Sequence, residues 1–339
     1  MPGRRSRRPP PSTDSLVFRT RITEIFGVEY PLIQGGMRHV GRAPLVAAVA
    51  NAGGLGFLSA HTQPSAQALQ EEIFAARSLT GKPFGVNLTI LPNLDVKPDD
   101  YARVIIDSGV PCVETAGGNP ARFIAAFKQA GIKVLHKCTA VRFALKAQQL
   151  GADAVSITGF EAAGHPGEDY VPNLVLVPAT AEKLQIPVVA SGGFADGRGL
   201  VAALALGAEA ISMGTRFLLT RESPMHEAVK ARYLAATERD TAIVCGSIGD
   251  STRVLKNSLT ERILELEKAQ SLGHDALLEM AGSRRWVAAA QAGDPEGGAF
   301  AAGVAVGLMH DIPSCRDLVD RIIREARDLI GDRLSRMIA

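Results

Sequence analysis

Eight short, almost uniformly apolar segments alternate with helical ones between Tyr30 and Met213, and each is followed by small or polar residues. In a chain of 339 residues these observations predict an α/β fold: a (β/α)8 barrel with an additional C-terminal helical subdomain. A half-exposed strand alternates polar and apolar side chains, whereas continuous apolar runs between helices mean parallel strands covered on both faces. Such a barrel takes roughly 250 residues, which leaves roughly 90 for an added subdomain. The rival is an open doubly wound sheet. It would carry a GxGxxG turn after its first strand, and the Gly35-Gly36 turn lacks that spacing.

The first strand, Tyr30–Gln34, ends in Gly35-Gly36, and the Ala-rich helix Ala43–Asn51 is stopped by Gly53-Gly54. Strand Leu55–Leu58 and helix Ser65–Ser78 follow, then strand Phe84–Leu88 and helix Asp99–Ser108. Pro111–Glu114 is the fourth strand, and Asn119 caps a helix that ends before Gly131. Strand Lys133–His136 precedes helix Ala140–Leu150, and strand Ala154–Ile157 leads through a longer loop to helix Leu176–Leu184. Pro187–Ala190, helix Arg198–Leu206 and Ala210–Met213 complete the eight units. From Arg221 the rhythm changes: Glu227–Ala236 and Leu259–Ala269 read as helices, and no strand is expected after them. Gly293–Gly298 reads as loop and Phe300–Leu308 as a small-residue helix. Cys315–Leu334 reads as an amphipathic helix with Leu318, Val319, Ile322, Ile323, Leu329 and Ile330 on one stripe. The expected organisation is a disordered basic tail (1–17), the barrel (18–222), a helical subdomain (223–299) and C-terminal helices packed on the barrel (300–339).

Hydrophobic residues make up 46% and charged residues 21%, so disorder is excluded for most of the chain. No apolar run approaches the roughly 18 residues that span a bilayer. The net charge is +2, and residues 1–13 carry four arginines (Arg4, Arg5, Arg7, Arg8) and no acid, leaving +2 less 4, or −2, for residues 14–339. A near-neutral body carries no footprint for nucleic acid. Cys112, Cys138, Cys245 and Cys315 form no CxxC pair and no Cys/His cluster of zinc spacing, which makes free thiols in a reducing cytoplasm the expectation and leaves no metal site.

In a barrel the chemistry sits on the loops after the strands. Ser191-Gly192-Gly193 and Gly214-Thr215 follow the seventh and eighth strands, where backbone amides commonly hold a phosphate. The ligand could be a flavin, a sugar phosphate or pyridoxal phosphate. His165 lies in a glycine-flanked loop, and histidine exchanges a proton near neutral pH. Lys137 ends a buried strand, where an unpaired ammonium is costly and a ligand anion or electron-rich ring would satisfy it. Met37, Asn87 and Thr89 could each be site wall or turn.

The stretches PLIQGGM, VANAGGLGFLSA, GVNLT, HKCTAVRFALKAQQLGADAVSI, GFEAAGHPGED and VVASGGFADGRGLVAALALGAEAISMGTRF, in this order from Phe18 to Thr220, resemble the nitronate monooxygenase family, formerly called 2-nitropropane dioxygenases. The tail AGVAVGLM matches more loosely. The resemblance implies an FMN-dependent TIM barrel with an added helical domain and non-covalent flavin. The HKCT, GHPGED and SGGFADGRG stretches are similar to a subgroup that includes NAD(P)H:quinone reductases. Carried over by position, Gly36 and Met37 would lie against the isoalloxazine ring. Thr89 and Lys137 would contact the flavin with Asn87 close by, and Ala163 would pack near it. Ser191, Gly192, Gly193, Gly214 and Thr215 would hold the phosphate, and His165 would be the catalytic base. Two positions depart from the pattern: Ala163, where EAAGH replaces the common EAGGH, and Thr158, where the reductase-like form has Asp.

The resemblance implies oxidation of alkyl nitronates or nitroalkanes with O2 to a carbonyl compound and nitrite. The alternative is reduction of FMN by NAD(P)H with a quinone as acceptor, and the two would differ in the pocket mouth, including Thr89–Pro92 and the region after Arg221. Enoyl-thioester reduction is a third flavin activity. A flavin-free lyase or isomerase centred on a Schiff base at Lys137, and a non-catalytic binding barrel, complete the set. A homodimer is a further expectation.

Overall fold

The computed structural model describes residues 17–90, 96–271 and 273–337. Residues 1–16 of the basic tail, and Leu91 and Pro92 of the expected pocket mouth, lie outside the described residues. Eight parallel strands close into a barrel in chain order: β1 Leu32–Gln34, β2 Leu55–Ser59, β3 Gly85–Ile90, β4 Cys112–Gly117, β5 Lys133–Cys138, β6 Ala154–Thr158, β7 Val188–Ser191 and β8 Ala210–Met213. β8 returns to β1 with Ser212 opposite Ile33, so no strand edge remains open. The predicted TIM barrel is the observed fold.

Alternate residues point inward. The lower half of the interior is apolar: Ile33, Leu55, Phe57, Cys112, Leu135, Ala154, Val189 and Ala210 form one cluster. A helix the sequence reading did not anticipate, Arg21–Phe26, closes this end by adding Ile22 and Phe26 to that cluster. It is only six residues long, too short for a periodic signal, and is bounded by a Thr20 capping box and by Gly27 at φ 67°.

The last amphipathic helix runs Cys315–Asp328 and continues as a π turn over Leu329–Leu334. It packs against helices Ala43–Asn51 and Gly197–Ala205, the partners of β1 and β7. Only the four-residue turn Thr215–Leu218 follows β8 directly, so the C-terminal helix takes the place of the eighth barrel helix. It buries Leu318, Val319, Ile322, Ile323 and Ala326, each large apolar side chain contributing about 1.5–3 kcal/mol relative to exposure. Its Glu325 accepts the Gly197 amide at 2.9 Å.

Between these elements the expectation of no strand after Arg221 is corrected. Strands β9 Thr241–Val244 and β10 Thr252–Leu255 form an antiparallel hairpin. Each has four residues, too few for an alternation to be read. Tertiary contacts hold the hairpin: Val254 bridges Ala301, and Arg253 bridges Gly164. Helices Ser258–Lys268, His274–Ala281 and Ser283–Ala292 follow, the last two unanticipated. The expected helix Phe300–Leu308 is instead a bridge at Ala301 and a 3-10 turn, Val304–Leu308. Its glycines permit close approach: a Cβ on Gly307 would sit 2.4 Å from the Glu238 nitrogen. Among the described residues no helix is long and apolar enough to cross a membrane.

Candidate active site

Above the apolar layer the barrel interior turns polar. Glu114 of β4 is fully buried and is its centre. One carboxylate oxygen accepts the Gly36 amide at 2.9 Å and the Asn87 side-chain amide at 2.7 Å. The other lies 3.2 Å from Lys137 Nζ without the alignment of a hydrogen bond. Residues from β3, β4, β5 and the turn after β1 therefore meet on one carboxylate. Thr89 Oγ1 reaches Asn87 Oδ1 at 3.4 Å, and the Thr89 carbonyl lies 2.8 Å from His61 Nε2. Burial pushes the His61 imidazole below its usual range. Gly36 is required by space: a Cβ there would overlap Asn87 at 2.2 Å.

Gly36, Asn87, Thr89 and Lys137 are thus brought together as expected. One expectation about them is corrected: Lys137 has a protein partner and is 24% exposed, so no ligand is needed to balance its charge. Glu114 is the residue missed by sequence reasoning. The signal was available, because an acid in the otherwise apolar run PCVET can be buried only with partners.

At the ends of β7 and β8, Gly192 and Gly193 adopt φ of 89° and 80°, the left-handed region that excludes most side chains. Gly192 lies so close to Ala162 that a Cβ would come within 2.6 Å of its methyl. Among the described residues the amides of Gly192, Gly193 and Gly214 donate no hydrogen bond. Asn173 holds the loop by donating to the Ser191 and Gly192 carbonyls at 2.8 and 2.7 Å, and Glu161 accepts the Asn173 backbone amide at 3.0 Å. Thr215 Oγ1 accepts the Gly303 amide at 3.1 Å, which leaves its own hydrogen to donate. Met37 is half-buried beside Gly214, and Ala163 is half-buried in the loop after β6.

Two further observations bear on a ligand. The buried hydroxyls of Ser156 and Thr158, on β6, have no hydrogen-bond partner. Buried polar groups are otherwise almost always satisfied. Free amides at the ends of β7 and β8 suit a phosphate, and the orphaned hydroxyl of Ser156, opposite Lys137, suits the polar edge of a heterocycle. The donor set fits FMN, with Gly192, Gly193, Gly214 and Thr215 able to hold the phosphate and Lys137 and Ser156 available to the ring. Ser156 stands opposite Lys137 in the β5–β6 register.

His165 stands apart from this cluster, on the loop after β6, with its side chain 65% exposed. Its Nε2 lies 3.3 Å from Asp250 Oδ1 in the β9–β10 turn and 3.2 Å from Oγ1 of Thr252, the first residue of β10. The hydrogen bond to His165 holds the Asp250 carboxyl below the usual carboxylate range against the opposing effect of its partial burial. Arg253 of β10 ties the hairpin to the loop after β6, donating to the Phe160 carbonyl at 3.0 Å with its guanidinium 4.5 Å over the Phe160 ring.

A parallel barrel with its polar groups gathered at the C-terminal end of the strands is the architecture of a TIM-barrel enzyme, and comparison with known proteins makes it an oxidoreductase. The family model described as nitronate monooxygenase matches residues 19–325, and the chain belongs to the nitronate monooxygenase family. It is 36% identical over 345 aligned residues, 91% of this chain and 96% of the relative, to "(3aS,4S,5R,7aS)-5-hydroxy-7a-methyl-1-oxo-octahydro-1H-indene-4-carboxyl-CoA dehydrogenase" of Rhodococcus jostii (strain RHA1). Among solved structures, FabK from Thermotoga maritima superposes with a TM-score of 0.87 at 35% identity, covering 95% of this chain and 99% of that one. Nitroalkane oxidase from Streptomyces ansochromogenes gives 0.77 at 30% identity, covering 91% and 99%.

Proposed function

We propose that the protein is an FMN-dependent oxidoreductase of carbon acids, with His165 as the base that removes a proton from carbon. The observation that carries this reading is the placement of His165: a histidine paired with a carboxylate, on the loop after β6, whose Ala162 packs against Gly192 of the loop with the unpartnered amides. FMN, when bound, supplies the redox chemistry, accepting electrons from the substrate and delivering them to an acceptor. The chain's own residues bind and orient. Gly192, Gly193, Gly214 and Thr215 would hold the phosphate, and Lys137, paired with Glu114, would offer its ammonium to the ring. Asn87 and Gly36, both tied to Glu114, would line the site beside Lys137.

The first substrate class is the nitroalkane or its nitronate, oxidised with O2 to a carbonyl compound and nitrite. A C–H beside a nitro group is acidic enough for an imidazole to remove, and such help is worth roughly 10²–10⁴-fold. A second reading is favoured by the relative named as a carboxyl-CoA dehydrogenase. A C–H beside a thioester carbonyl is the same kind of carbon acid, and the same base would serve it. Anaerobic mixing of the yellow protein with nitroethane, propionate 3-nitronate, a saturated acyl-CoA, NADH and NADPH separates the readings. Bleaching by nitroethane or the nitronate supports the first, and bleaching by the acyl-CoA supports the second. Rapid bleaching by NADH or NADPH alone, reversed by a quinone and with no response to any carbon acid, overturns both in favour of quinone reduction.

A further inference from the structure

We propose that Asp250, in the β9–β10 turn, and Thr252, the first residue of β10, are positioning residues that fix His165 as its Nε2–H tautomer and so assign the accepting role to Nδ1. The inference deepens the proposed function and rests on its reading of His165 as the base.

A neutral imidazole carries one hydrogen, and which nitrogen bears it follows from the partners. Both partners of His165 address the same nitrogen. Asp250 Oδ1, 3.3 Å from Nε2, belongs to an ionised carboxylate and can only accept. Thr252 Oγ1, 3.2 Å away, has one hydrogen, and it is committed: the hydroxyl donates to the Asp250 carbonyl at 3.1 Å. Toward His165 the hydroxyl oxygen therefore accepts as well. Two acceptors on Nε2 require that Nε2 carry the hydrogen, which leaves the lone pair on Nδ1. Among the described residues Nδ1 has no protein partner.

The contact is built by backbone, not by two surface side chains meeting. Gly164 and Arg253 exchange both of their backbone hydrogen bonds, at 3.0 and 2.6 Å. On the other side of His165, Ser251 donates from its amide and its hydroxyl to the Glu168 carboxylate at 3.1 and 2.8 Å. An exposed ion pair alone contributes little. A two-stranded bridge flanking the histidine sets its place in advance, so the contribution of Asp250 and Thr252 is orientation. In the step itself the carbon–hydrogen bond breaks, the proton forms a bond to Nδ1, and the electron pair stays on the substrate carbon. The imidazolium that results has its Nε2–H already facing the Asp250 carboxylate.

The test uses the full-length flavin-loaded protein labelled with 15N in its histidine rings, with His165 assigned from its absence in His165→Asn. The wild type shows one tautomer, hydrogen on Nε2. The pair Asp250→Ala with Thr252→Val relaxes it to a mixture and lowers kcat for nitroethane or acyl-CoA by about 10-fold with KM within about twofold, each single change contributing about 2- to 5-fold. Oxidation of a preformed nitronate is unchanged, and Thr252→Ser behaves as wild type in both measurements. A wild-type ring carrying its hydrogen on Nδ1, or a double variant with unaltered tautomer and kcat, overturns the proposal. Because the ring spectrum needs no turnover, failure of the base reading is seen separately, as His165→Asn with undiminished kcat.

Discussion

Replacing Glu114 by alanine tests whether the polar layer is held as described. The change removes a fully buried carboxylate that accepts two hydrogen bonds, at 2.9 and 2.7 Å, and faces an ammonium at 3.2 Å. Breaking a buried pair by deleting one partner typically costs 3–5 kcal/mol, because the other charge is left uncompensated. Lys137 is 24% exposed and can be partly hydrated, which places the cost near the lower end, about 3 kcal/mol. In a domain this large each kcal/mol moves the melting temperature by about 2 °C, so the expected loss is about 6 °C. Flavin retention should fall as well, since Asn87 and the Gly36 amide lose the acceptor that aligns them. Replacing both members, Glu114→Leu with Lys137→Met, removes the pair without stranding a charge and should recover most of the melting temperature but not the flavin. Thermal melts with and without added FMN, combined with flavin absorbance, make the measurement. A Glu114→Ala variant that melts within about 1 °C of wild type, or a double variant less stable than either single one, would refute the reasoning.

His165→Asn should lower nitroethane turnover by about 10²–10⁴-fold while sparing nitronate oxidation and flavin content, and equal losses on both substrates would defeat the base assignment. Gly193→Leu should fold yet lose FMN, because the position sits at φ 80° and its Cβ would press on Glu161 at 3.1 Å; normal flavin content in that variant would move the phosphate elsewhere. His136 accepts or donates to Thr115 Oγ1 at 2.9 Å, and burial pushes its imidazole down to about 4 from an ordinary 6.5. A histidine buried neutral must be charged to keep pace with the unfolded chain, so stability falls as pH drops from about 6.5 to about 4, by up to about 3 kcal/mol. Urea midpoints across that range should decline less in His136→Gln, and parallel slopes would show that other groups govern the acid limb.

The strands were legible because each of their residues reports burial locally. A parallel strand covered on both faces has to be apolar along its length, so VVAS and AISM announce themselves without reference to anything else in the chain. The glycines after β7 were legible for a similar reason, since a positive φ excludes side chains whatever lies nearby. The C-terminal helix was legible in its stripe, Leu318 to Ile323, which is a 3.6-residue period within one element. That this helix closes the ring between the helices following β7 and β1 was not written in it, because the stripe specifies an apolar partner and not which one.

The site depended far more on tertiary structure. Glu114 reads as a stray acid until register sets it opposite Asn87 and brings Lys137 within reach from the next strand. Lys137 looked in need of a ligand for the same reason: its partner lies 23 residues away, beyond any local pattern. The β9–β10 hairpin left no mark at all, since four-residue strands carry too little alternation, and its contacts with Gly164 and His165 span more than 80 residues. Sequence alone determined which residues could be buried, turned or left bare, because these are properties of a residue and its near neighbours. Only the closed barrel decided which charges meet, since hydrogen bonds and ion pairs depend on distances across strands that composition and periodicity do not encode.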